Sequence, residues 1–229
     1  MPKIYLSPAA HGRDNPCRYD SACGENIHCN LYIDELEPYL LACGFAVKRN
    51  PKDRTGDRLK EAIAESNAWG ADLHYVAHTN AGGGSYSLLM VYDQGTAYGY
   101  AEKLAARRRE IYAGNVKISV QPQWDELRLT AAPALYDEMV FHDNAKDIAW
   151  FHEHLREMAE ATAKAICDMF GATFVDPYAK PAEPAPEPES GGDVWYRVQV
   201  GAFREKANAD RLCAELQGKG YAAFVKAGA

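Results

Sequence analysis

Two histidines and one glutamate are the first residues in this chain able to do chemistry together. His11 follows a short apolar run in KIYLSPAAHG, His78 ends LHYVAH, and Glu25 stands after a glycine at the start of a helical pattern. Two imidazoles and one carboxylate make a ligand set used by catalytic zinc, with water in the fourth position. Zinc lowers the pKa of such a water toward about 7, so hydroxide becomes available at neutral pH. Singly, each residue has an ordinary reading. A lone loop histidine usually belongs to a surface or a core, and a glutamate in a first turn complements the helix dipole. Their shared location near strand ends is what unites them.

The remaining reactive side chains read as structural. His74 shares a strand face with His78 but lies about 13 Å away along it. His28 is one turn from Glu25, and His142 in FHDN is a candidate for lining a cleft. His152 and His154 read as solvated, and Arg107, Arg108 and Arg109 as a helix surface. Gly82, Gly83 and Gly84 read as a loop, because no Lys-Ser/Thr follows to make a phosphate cradle. The six cysteines form no CxxC pair, which argues against a structural zinc knuckle and for reduced thiols.

These residues need elements to position them. Short strands are expected at 3–7, 46–49, 73–77, 88–92 and 134–138. Helical patterns lie between them at 25–43, 58–69, 97–112 and 145–170. In the last, Ile148, Phe151, Leu155, Met158, Thr162, Ile166 and Met169 share one stripe, and Gly171 supplies the stop. Pro38 predicts a kink or break in the first helix. Alternation of this kind implies an α/β fold with a mainly parallel sheet flanked by helices, whose sites form at the carboxyl ends of the strands. Residues 1–175 form this domain. Residues 176–193 are rich in proline and glutamate and read as a linker, and 194–229 follow as a small appendage reading strand, helix, strand.

Composition bounds the partners. A net charge of −7 disfavours nucleic acid and an anionic membrane. No apolar run approaches the roughly 18 residues of a membrane span. The first residues lack the pattern of a signal peptide, so synthesis in the cytoplasm with later release is expected.

Taken in order, the segments resemble the zinc amidases of the amidase type 3 family, which cleave the bond between N-acetylmuramic acid and L-alanine in bacterial cell walls. The resemblance covers residues 3 to about 171. It is carried by His11-Gly12, Glu25, the 58–67 segment with Arg58 and Asn67, His78-Thr79-Asn80-Ala81, and Glu138, Phe141 and Asn144 in EMVFHDN. Ser7-Pro8-Ala9-Ala10 departs from the family's Asp-Pro-Gly, and Val140 stands in place of a glycine. The Ser-Pro opening resembles the phage endolysin-like branch. The resemblance implies that His11, Glu25 and His78 hold Zn²⁺. It makes Glu138 the general base that takes a proton from water and returns it to the leaving amine. Asp137 competes for that role, but strand neighbours face opposite ways, and the spacing to Phe141 and Asn144 selects Glu138.

The C-terminal segment resembles the first half of a SPOR domain, which binds peptidoglycan glycan strands. The matching residues are Tyr196-Arg197-Val198-Gln199-Val200-Gly201-Ala202-Phe203, then Ala207, Ala209 and Leu212 on a helix, and Gly220-Tyr221. A lone half-repeat is a marginal core, which predicts completion by a second copy if the segment is not truncated. Two rival functions share these features: a zinc peptidase cutting within the stem peptide, and a wall-binding protein without activity.

Overall fold

The structure is a computed structural model that describes residues 1–9, 15, 17, 24–50, 58–179 and 198–226. The chain divides into two compact units, Met1–Lys180 and Pro181–Ala229.

The first unit is built on a six-stranded sheet. Its strands are β1 (Lys3–Pro8), β2 (Ala46–Arg49), β3 (Leu73–Asn80), β4 (Tyr86–Val91), β5 (Asn115–Val120) and β6 (Ala134–Phe141), in the order β2-β1-β3-β6-β4-β5. All pairs are parallel except β4 with β6. The mainly parallel α/β expectation therefore holds, with one antiparallel pair added. Every residue of β6 and all but the last of β3 are buried, as expected of central strands covered on both faces.

Helices α1 (Glu25–Ala42), α3 (Thr96–Ile111) and α6 (Leu155–Phe170) pack together on one face. They enclose the main core, which takes Leu73, Tyr75 and Ala77 from β3 and Leu135 and Met139 from β6. Alternation turns the intervening residues the other way. Val76, Ala134 and Tyr136 join Met90 and Leu127 in a smaller cluster on the opposite face, beside α2 (Leu59–Trp69) and the four-residue α4 (Asp125–Arg128). Glycines in the left-handed region end α2 at Gly70 (φ 68) and α6 at Gly171 (φ 65), the latter as expected.

Several expectations need correction. α1 runs unbroken through Pro38. The long helix over 145–170 is instead α5 (Ala145–Glu153) and α6, separated at His154. There Nδ1 of His154 lies 2.9 Å from the Trp150 carbonyl and its ring stacks on Trp150, so the side chain competes for a backbone acceptor at the break. In the second unit, the expected helix is α7 (Lys206–Gly218), but neither flank joins a ladder among the described residues. Without a pairing edge the alternating residues bury nothing: Val198, Val200, Phe203, Tyr221 and Phe224 stay exposed. No helix of the described residues is long and apolar enough to cross a membrane. Cys17, Cys29, Cys43, Cys167 and Cys213 are free thiols, and Cys23 lies outside the described residues.

Candidate active site

The site lies where α1 begins and where β3 and β6 run side by side. Glu25 opens α1, and its carboxylate is fixed from three directions. Oε1 meets Nδ1 of His78 at 2.9 Å and accepts the Thr79 amide at 3.2 Å, while Oε2 accepts from Nδ2 of Asn15 at 2.8 Å. Asn15 holds the same end of α1 by its backbone, accepting the Glu25 amide, and adopts a left-handed φ of 58° that asparagine tolerates better than most residues. Burial alone would raise the Glu25 pKa, but the His78 hydrogen bond and charge outweigh it and bring it down to about 2. For His78, burial depresses the pKa, and the Glu25 contact more than offsets this, so the net direction is upward. A carboxylate and an imidazole sharing one proton release it when a divalent cation takes both as ligands.

Glu138 stands opposite His78 in the β3–β6 register. Its carboxyl is buried, and among the described residues Oε2 has no hydrogen-bond partner. Its pKa is raised to about 7, chiefly by burial. The charge of His78 pulls it down, and the nearby carboxylates of Glu25 and Asp137 push it further up. Directly beyond this pair the register shifts between His78 and Asn80, leaving β6 with an extra residue. Such a bulge re-aims the side chains around it, a common device beside functional sites.

Asp137 faces the other way. It sits in the main core, 2.6 Å from Nη2 of Arg108 and 2.6 Å from the Tyr75 hydroxyl. Arg108 also donates to Ser87 at 3.0 Å. The expectation of an exposed Arg108 is thus wrong: it is fully buried, because Asp137 supplies the counter-charge that lets a guanidinium enter a core. Arg107 and Arg109 stay nearer the surface. The one legible hint was the aspartate beside Glu138, which alternation sends into that core.

The rest of the 138–144 segment supports the site. Phe141 packs under the loop after β3, so closely that a Cβ on Gly84 would run into its ring. Asn144 caps α5, accepting from the amides of Lys146 and Asp147, and its side chain donates to the Gly84 carbonyl at 2.9 Å. Asp143 accepts from the amides of Gly82 and Gly83.

Other histidines separate cleanly. His74 is buried, with Nε2 2.9 Å from Glu126 and its ring stacked on Tyr5, a structural role as expected. His28 is buried against Phe151. His142 does not line a cleft: it is buried, with Nδ1 3.0 Å from the Thr79 hydroxyl. His152 is exposed, and His154 is half-buried on Trp150. His11 lies outside the described residues; of the other predicted site residues, Glu25 touches His78 and Glu138 stands opposite His78 in the sheet. Among the described residues no group of three potential ligands gathers. Beside His78 opens a cavity of about 130 Å³ between β1, α2 and α4, with Trp124 and Arg58 in its walls.

Comparison with known proteins gives consistent results. Over 184 residues the chain is 30% identical to the N-acetylmuramoyl-L-alanine amidase CwlM of Bacillus licheniformis, covering 75% of this chain and 64% of that protein. It is 28% identical over 234 residues to the sporulation-specific N-acetylmuramoyl-L-alanine amidase of Bacillus subtilis (strain 168), covering 98% and 84%. The fold matches the N-acetylmuramoyl-L-alanine amidase AmiC2 of Nostoc punctiforme with a TM-score of 0.65 at 15% identity, over 74% of this chain and 97% of that one. Residues 161–227 match the SPOR domain model, starting within α6, well before the segment that suggested it. The chain is thus similar in sequence to N-acetylmuramoyl-L-alanine amidases, spanning 64% of the length of CwlM, shares the fold of AmiC2, and matches the SPOR domain model over 161–227.

Proposed function

We propose that this chain hydrolyses the amide between N-acetylmuramic acid and L-alanine in peptidoglycan, using Zn²⁺ held by His11, Glu25 and His78 and Glu138 as the proton carrier. The observation that carries the reading is the juxtaposition of a Glu25–His78 pair at 2.9 Å with a buried Glu138 whose Oε2 lacks a partner among the described residues. A buried polar atom without a partner is costly and calls for an unseen one. Two imidazoles with one carboxylate are a fitting donor set for zinc. When bound, zinc acidifies water and polarises a carbonyl.

The chain's own residues do the rest. Glu138, with its pKa pushed up to about 7, is matched to taking and giving a proton near neutrality. It accepts the proton of the attacking water, then delivers it to the alanine nitrogen as the C–N bond breaks. Asn15 and the Thr79 amide hold the Glu25 carboxylate in one orientation. The segment 176–193 is a linker in this reading, and the C-terminal unit binds glycan strands. A second copy completing the half-repeat finds no support among the described residues.

Mass spectrometry of digested muropeptides tests this. Free L-alanine amino termini with intact lactyl-muramic acid are expected, and cleavage between amino acids instead would sink the proposal. Glu138→Ala is expected to keep stoichiometric zinc by metal analysis while losing about 10² to 10⁴ of turnover. An active Glu138→Ala would overturn the assignment of the proton carrier.

A further inference from the structure

We infer that the cavity beside His78 is the seat of the sugar ring of the substrate, with Trp124 as its stacking platform. The inference rests on the amidase reading for which sugar is bound. Trp124 is 38% exposed although it lines the cavity wall. Its backbone is fixed: the amide donates to the Gln121 carbonyl, and its own carbonyl accepts from Leu127 and Arg128 at the start of α4. The Gln121 amide in turn donates to Val91 of β4. The backbone that carries the indole is therefore tied to the sheet, and its ring rests edge to face on Tyr136.

Three rings lead from the candidate metal ligand to that surface. His78 lies 4.5 Å from Tyr136, and Tyr136 meets Trp124 edge to face at 5.1 Å. A group seated on Trp124 is thus one unit away from a bond held at His78. The cavity, at about 130 Å³, has room for a single ring.

Charge decides which side of the scissile bond enters. Two carboxylates, Asp125 and Glu126, line the cavity against one guanidinium, Arg58; Asp125 is bridged to Arg128 and Arg58 to Glu61, each at 2.6 Å, and Glu126 lies 2.9 Å from Nε2 of His74. A free carboxylate of the stem peptide would meet like charges there. A sugar presents apolar C–H faces to an aromatic ring and hydroxyl donors to carboxylates and to Asn50.

Binding without turnover separates this inference from the amidase reading. Ligand-observed NMR titration of the full chain, with no zinc added, would use N-acetylmuramic acid with its lactyl carboxyl capped as the amide, and its L-alanyl-D-isoglutamine dipeptide with the γ-carboxyl either amidated or free. The sugar alone should bind. Trp124→Ala and the bulkier Trp124→Leu should each weaken it roughly tenfold, and Trp124→Phe much less. Thermal unfolding checks that each variant is folded. The inference is overturned if the sugar fails to bind, if both Trp124→Ala and Trp124→Leu bind like the parent, or if only the acidic dipeptide binds and Arg58→Gln abolishes it. A zinc-loaded chain that cuts elsewhere in the wall peptide would defeat the amidase reading and leave these titrations standing.

Discussion

Glu138 carries a penalty that the fold accepts. Its carboxyl ionises at about 7 in the folded chain against 4.5 ordinarily, chiefly because it is buried. Below pH about 4.5 both states hold the proton and nothing is lost. As pH rises toward 7 the unfolded chain releases its proton and the folded chain keeps it, so stability falls, by about 3 kcal/mol once both are ionised. Zinc-free Glu138→Gln should therefore be more stable than the parent by about that amount near pH 8, and equal to it at pH 4, in urea denaturation. Gly84 makes a second residue-scale case. Gly84→Ala drives a methyl into Phe141 and should cost about 1–3 kcal/mol, read from the urea midpoint. Of these residues, Glu25 and His78 were singled out by type and location and Glu138 by the resemblance, and the structure sets His78 beside Glu25 and opposite Glu138. Asn15 was not singled out, because its role is a contact with Glu25 ten residues away, which no local pattern announces. His142 misled because a histidine in a polar tetrapeptide looks exposed, yet the strand before it carries it into the core.

Among the elements, those with long apolar patterns could be read directly. β3, β6 and α6 are each set by their own sequence. β5 was missed although Val116, Ile118 and Val120 alternate with polar residues, since an edge strand with one buried residue gives only a faint signal. The break at His154 was invisible because α5 and α6 share one apolar stripe. Arg108 joins α3 to β6 from inside the core, where a helix-surface pattern gave no warning. Removing one partner of such a pair leaves a lone buried charge, and Arg108→Ala should cost about 3–5 kcal/mol. The double replacement Arg108→Met with Asp137→Leu should recover most of that loss, as measured by thermal unfolding of the three proteins side by side. If the double variant is no better than the single ones, the pair is not the balanced unit its geometry indicates.

At the scale of the whole molecule, the two units differ in how much they bury. Met1–Lys180 encloses both apolar clusters, whereas the apolar side chains flanking α7 remain open. A chain ended before Pro181 should keep one cooperative unfolding transition and full turnover of soluble muropeptides. It should sediment less with whole cell walls, and unchanged sedimentation would remove the targeting role from the C-terminal unit. The parallel β3–β6 pairing has a kinetic corollary. Tyr75 and Asp137, bonded across it, are 62 residues apart in sequence, so this pairing must close a long loop before it gains anything. His78 and Glu138 face each other only after that late event. A nascent or partly unfolded chain therefore holds no assembled site, and the appearance of lytic power during refolding should keep time with the slowest folding phase.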